Sequence, residues 1–176
     1  KIGSSVKDDE LIFEEKSEAF TVGVSLSSDE KYFFITTSDH NTSEQYYFEV
    51  TEKKPKPKLI KKRKKGVIYS VNSWGGYFYC HTNDGAEDFK IERCDDLLNQ
   101  KWEIYIAAKE EVLIGGLTFL NDWIIRGEKS NALGKLFVRN KQTGIEEELK
   151  FTEETVIVPS VSLIQRNKNT DSVYLS

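Results

Sequence analysis

Short apolar runs divided by turn residues set the rhythm of this chain, and no stretch sustains the apolar period of an amphipathic helix. The pattern predicts strands at 11–13, 20–26, 32–37, 46–50 and 59–60. A second series follows at 67–71, 77–80, 89–91 and 102–106, and a third at 112–119, 123–125, 136–138 and 147–151. The last two are 156–164 and 173–175, and 95–100 predicts no more than a helical turn. Ser27-Ser28-Asp29, Gly75-Gly76, Asn121-Asp122 and Asn167-Lys168-Asn169 each part the first strand of a series from the second. Asn, Asp and Gly accept the positive φ that tight hairpins need.

The first strands begin near residues 20, 67, 112 and 155, at intervals of 47, 45 and 43. Four antiparallel strands recurring every ~40–50 residues mark propeller blades. The in-phase order of apolar strand, hairpin, aromatic strand and polar strand favours that reading over an irregular meander or sandwich. The expected fold is therefore all-β: a partial β-propeller of about three four-stranded blades. The divisions are an outer strand at 1–16, blades at 17–65, 66–109 and 110–153, and an incomplete blade at 154–176. A closed ring needs about 4–8 blades, so the chain is expected to be a section of one. The lack of any Met and the opening Lys1-Ile2-Gly3-Ser4 fit the same expectation.

Composition narrows the function classes. A net charge of −4 argues against a general nucleic-acid binder, and no apolar run approaches the ~18 residues of a membrane span. Two cysteines cannot build a disulfide framework. With a hairpin turning near Asp84-Gly85-Ala86, Cys94 would oppose position 76, roughly 10 Å or more from Cys80. Two reduced thiols in a cytoplasmic protein are expected.

Candidate chemistry is sparse. His40 could be set beside Ser38 or Ser43, but hydroxyls near turns usually cap backbone. His40, His81, Cys80 and Cys94 lack the close ligand spacing of a zinc site, so no metal and no cofactor are expected. The carboxylate pairs Glu14-Glu15, Asp95-Asp96, Glu110-Glu111 and Glu153-Glu154 point to opposite faces of a strand and cannot converge on one atom. Of these, one of Glu14 and Glu15 is the candidate for a structural ion pair. The run 53–65 holds nine cations and lacks interleaved aromatics, which suits a connector into an outer strand better than a nucleic-acid patch. Gly115-Gly116 falls inside a first strand, where crowding near a propeller axis would favour small residues. The segments 20–26, 67–73, 112–119 and 156–163 are expected to face the channel.

Local patterns then carry a resemblance. Asp9-Glu10-Leu11-Ile12-Phe13-Glu14-Glu15-Lys16 with Phe20 and Val22, Lys31-Tyr32, Thr42-Ser43-Glu44, Arg63, and Gly66-Val67-Ile68-Tyr69-Ser70-Val71 stand in order. They continue through Thr82-Asn83, Phe89-Lys90, Gly116-Leu117-Thr118 and Asn121-Asp122-Trp123. This series resembles the propeller of the oligopeptidase B group in the prolyl oligopeptidase family of serine peptidases. The hairpin after Trp123 departs from the family, with Arg126-Gly127-Glu128 leading to Ala132-Leu133-Gly134. The resemblance implies a lid that gates short peptides cleaved after Lys or Arg by an α/β-hydrolase domain of the same parent chain. The G-x-S-x-G elbow is missing, so no catalytic residue is assigned, and the substrate-contacting residues are unassigned. The chain alone is expected to be inactive and to have neither nucleic-acid nor membrane partners. Its end blades are expected to expose apolar faces that could drive self-association. A non-catalytic scaffold propeller is the alternative, though the Gly-His and Trp-Asp repeat signature of common scaffolds is missing.

Overall fold

The computed structural model describes residues 5, 7, 9–150, 161–163 and 173–175, the last six by backbone alone. Alternation of side chains along short β-rich runs builds three four-stranded antiparallel sheets in simple meander order. The first contains β1 (Thr21–Leu26), β2 (Tyr32–Ser38), β3 (Ser43–Glu49) and β4 (Lys58–Lys61). The second contains β5 (Tyr69–Trp74), β6 (Tyr77–Thr82), β7 (Lys90–Cys94) and β8 (Glu103–Ile106). The third contains β9 (Leu113–Phe119), β10 (Trp123–Ser130), β11 (Leu133–Asn140) and β12 (Glu146–Leu149). A further pair, β13 (Val161–Leu163) and β14 (Val173–Leu175), is antiparallel. The fold is a partial β-propeller, with first strands starting at residues 21, 69 and 113.

Each sheet shows one face to its predecessor and the other to its successor. On β5, Tyr69, Val71 and Ser73 are buried, whereas Ser70, Asn72 and Trp74 point the other way. The first face joins Phe34, Tyr47, Ile60, Phe78, Cys80 and Cys94 in a core between sheets one and two. Tyr79, Ile91, Ile106, Ile114, Phe119 and Ile124 form the core between sheets two and three. The outward face of sheet one, with Val22, Val24, Phe33, Ile35 and Phe48, forms an apolar groove with residues 10–13. Val22 and Val24 stay exposed there.

Several expectations shift. Residues 11–13 form no strand among the described residues, yet Phe13 packs its ring 4.8 Å from Tyr46. Residues 95–100 close a turn through Gln100 N–H to Asp96 C=O. Cys94 opposes Phe78, not position 76, because β6 and β7 pair two residues further along than a tight turn at 84–86 implied. Both cysteines are buried and free. The hairpin of β10 and β11 is longer than its apolar residues suggested, closing at Asn131-Ala132 with φ of 50° and 64°. Gly115 is demanded by a different neighbour than an axis: a Cβ there would meet Gly127 O at 2.9 Å, whereas Gly116 faces open space. The segment 156–160 and the turn at 167–169 lie outside the described residues. Among the described residues, no helix is long and apolar enough to cross a membrane.

Candidate gating surface and blade junctions

The inner strand of a sheet presents one unpaired edge, and its amides must find partners. At the junction of sheets one and two, side chains supply them. Ser43 Oγ accepts from Tyr69 N–H at 2.7 Å and donates to Tyr69 C=O at 2.8 Å. Gln45 Oε1 accepts from Val71 N–H at 2.6 Å, while the Gln45 amide nitrogen donates to Thr36 Oγ1. Tyr69 OH accepts from Gln45 N–H and donates to Lys61 C=O, and burial pushes this phenol far above its usual range. Further along, Asn72 bonds Ser28 through both ends of its amide, and Ser73 donates to Asp29 Oδ2. The turn chemistry of 27–29 therefore serves a neighbour as well as its own hairpin.

Ion pairs lie at the same seams. Arg63 donates to Glu15 at 2.5 Å and to Glu44 at 2.9 Å, with Phe20 beneath its guanidinium. The Arg63 hydrogen bond holds the Glu15 carboxyl below the usual carboxylate range. Burial opposes ionisation of Glu44, but the Arg63 N–H, its guanidinium and the Tyr46 hydroxyl outweigh that and keep it low. Lys61 crosses from β4 to Glu92 on β7, 2.9 Å away, and covers the Trp102 ring. Lys109 meets Glu128, which also binds Arg126; Arg126 reaches on to Glu146. Glu15, Lys61 and Lys109 follow one another at nearly the sheet interval.

The sequence candidates are thereby sorted. Glu15 is the member of its pair that is tied down. Ser43 is spent on Tyr69, so it is no nucleophile for His40, which is exposed. Cys80 belongs to the first core, whereas His81 bonds Ile114 C=O on the opposite face, so the two cannot share a metal ion. Among the described residues no three His, Cys, Asp or Glu side chains converge on a metal position. The basic run divides by role: Lys61 and Arg63 lie in the junctions, Lys64 pairs with Asp84 on the surface, and Lys53, Lys54 and Lys56 stand exposed on the β3–β4 loop. Sequence reasoning missed the capping roles of Ser43 and Gln45, whose partners lie in another sheet, and the network in which Arg126 and Glu128, neighbours on one face of β10, reach Glu146 and Lys109. Glu153 and Glu154 lie outside the described residues.

The family model for the N-terminal β-propeller domain of prolyl oligopeptidase matches residues 1–176. The chain belongs to the prolyl oligopeptidase family. Its curated relatives include Protease 2 of Moraxella lacunata, 32% identical over 139 residues, which covers 78% of this chain and 20% of the relative. Dipeptidyl aminopeptidase BI of Pseudoxanthomonas mexicana is 26% identical over 140 residues, 78% of this chain and 19% of the relative. Oligopeptidase B from Trypanosoma brucei, solved in a closed form with covalently bound antipain, superposes with a TM-score of 0.88 at 20% identity. That match covers 99% of this chain and 26% of the trypanosomal one. The chain thus spans about a fifth of the length of its curated relatives. Within the prolyl oligopeptidase family it represents propeller, and its polar chemistry is spent on joining blades.

Proposed function

We propose that this propeller section serves a serine oligopeptidase of the oligopeptidase B type, as a lid that limits which peptides reach a separate α/β-hydrolase domain. The reading rests on one observation, that residues 1–176 match the family's propeller domain; the relative at 32% identity, named Protease 2, supports the type. In the intact enzyme a serine, histidine and aspartate on the catalytic domain would perform acyl transfer. Short peptides would be cut after Lys or Arg, and the edge strands β1, β5 and β9 would line the passage. The two free buried thiols suit a cytoplasmic setting.

The test compares the isolated chain with the product of its complete reading frame on arginyl, lysyl and prolyl fluorogenic peptides. The isolated chain should show no turnover and no labelling by a serine-directed fluorophosphonate, while the complete product should prefer arginyl and lysyl substrates. A prolyl preference would overturn the specificity, and a labelled serine in residues 1–176 would overturn the lid role.

A further inference from the structure

The two blade junctions are built on one plan but sealed differently. The β3–β4 ladder shifts register at Gln45/Tyr46, and the β7–β8 ladder shifts at Ile91/Glu92. Ile91 therefore occupies in sheet two the place of Gln45 in sheet one, and Phe89 the place of Ser43. Both capping positions have become apolar. The edge of β9 consequently loses the side-chain caps that β5 enjoys. Among the described residues, what remains is local to one residue: Ile114 N–H donates to Asp88 C=O at 2.9 Å, and His81 Nε2 lies 2.7 Å from Ile114 C=O. Beside this contact a space of about 120 Å³ opens between Ser70, Asn72, His81, Ile91, Gly116 and Leu117. That is room for about four water molecules.

His81 is an unusual choice for such a seal. Because a carbonyl accepts, Nε2 carries the hydrogen and the neutral ring leaves Nδ1 bare. The imidazole is stacked on Phe89, with centroids 4.5 Å apart. Phe89 itself is held at φ 67°, a costly conformation for a bulky residue. Acid must place a second N–H, and a charge, on a half-buried ring stacked on Phe89 and set beside Ile91 and Leu117, and burying that charge weakens the seam.

Most of the charged groups facing this junction are already paired. On sheet two Arg93 pairs with Glu103, and Asp88, beside Phe89, meets Ile114 through its backbone carbonyl. Lys109, Arg126, Glu128 and Glu146 form their own network, and Arg139 lies over Tyr105. Lys141 covers Trp74. The nearby phenol Tyr79 is pushed by burial up to about 12 and stays neutral. Burial accordingly holds His81 below its ordinary value, against the weaker support of the Ile114 carbonyl.

We propose that the junction between sheets two and three is a pH-sensitive seam, latched by neutral His81 and loosened by its protonation while the junction between sheets one and two stays shut. The sign follows from linkage. A histidine depressed in the closed state leaves the seam at full strength above about 6.5. Strength falls as the pH drops through that value toward the closed-state pKa. The inference does not depend on the peptidase reading.

Amide hydrogen exchange followed by NMR on this chain tests it at single groups. The Ile114 N–H reports the second junction, and the Tyr69 and Val71 N–H groups report the first. Between pH 7.5 and 5.5, after correction for intrinsic exchange, Ile114 protection should fall by up to about tenfold per pH unit, with Tyr69 and Val71 unchanged. The fall should track the His81 ring resonances. His81→Gln, which can still donate to Ile114 C=O but does not titrate, should flatten the profile. Equal loss at all three amides would overturn the proposal, as would Ile114 protection that is flat through the His81 titration or unchanged pH dependence in His81→Gln. Should that variant not fold, the first two readouts on the unmodified chain still decide.

Discussion

Ser43 and Tyr69 exchange two hydrogen bonds through a single hydroxyl: Ser43 Oγ satisfies both the N–H and the C=O of Tyr69 across a blade junction. One atom thus closes two backbone groups on a buried strand edge. Ser43→Ala should cost about 2 kcal/mol, within the range for stranding a buried polar group. Gln45→Leu should cost a similar amount by stranding Val71 N–H. Urea unfolding of each variant, with unchanged m-values, measures both.

Arg63 neutralises two carboxylates from separate segments, and Glu44 beside it is buried. Removing a partner from a fully buried pair costs about 3–5 kcal/mol; with Arg63 partly exposed, Arg63→Ala should cost roughly 2–3 kcal/mol. Glu15 and Glu44 titrate below the ordinary value of 4.5. Their stabilisation is therefore complete above that pH and is lost as the pH falls through their folded-state values. In Arg63→Ala the guanidinium is lost while the residue-63 N–H and the Tyr46 hydroxyl still support Glu44, so burial weighs more heavily and the acid-induced loss should begin at higher pH. Thermal melts from pH 3 to 7 would show the shift.

Adjacent glycines in β9 should respond oppositely to alanine. Gly115→Ala drives a methyl group into the Gly127 carbonyl and should cost about 1–3 kcal/mol. Gly116→Ala meets nothing and should be near neutral. Paired denaturation midpoints check the contrast; equal losses would point to crowding by a third element.

Burial raises both thiols, to about 11 for Cys80 and for Cys94. Neither presents appreciable thiolate at neutral pH. A disulfide reagent should modify neither at pH 7.5 in native conditions and both at once in denaturant. Rapid native labelling of either would contradict the first core as described.

The propeller was legible because an edge-to-edge meander repeats its apolar alternation, and the turn residues at 27–29, 75–76 and 121–122 announce each hairpin. Boundaries blurred where polar residues continue a strand. Arg126, Gly127 and Glu128 read as a break, yet they extend β10 because the charges satisfy one another in the junction. Asn131-Ala132 escaped notice because alanine seldom takes a left-handed conformation. Glu15 was visible as a candidate for pairing, but its partner Arg63 lies 48 residues away inside a lysine-rich run. Ser43 and Gln45 gave no local signal at all, since their chemistry exists only once a second sheet arrives. His81 stood out in the sequence only as a histidine without zinc-ligand spacing, and only the loss of caps at Phe89 and Ile91 gives it importance.

The ion pairs at successive seams also act as an address system. The earlier member is acidic at the first seam (Glu15) and basic at the next two (Lys61 and Lys109). Glu92 is held by Lys61 from the preceding sheet and by Lys90 on its own strand. Placing the second sheet directly after the Glu15 segment would exchange the first of these cations for a carboxylate, whereas repeating the second sheet after itself would again present a lysine, Lys109. Blades of this propeller are thus not interchangeable beads: their order is biased by the charge that the preceding blade presents.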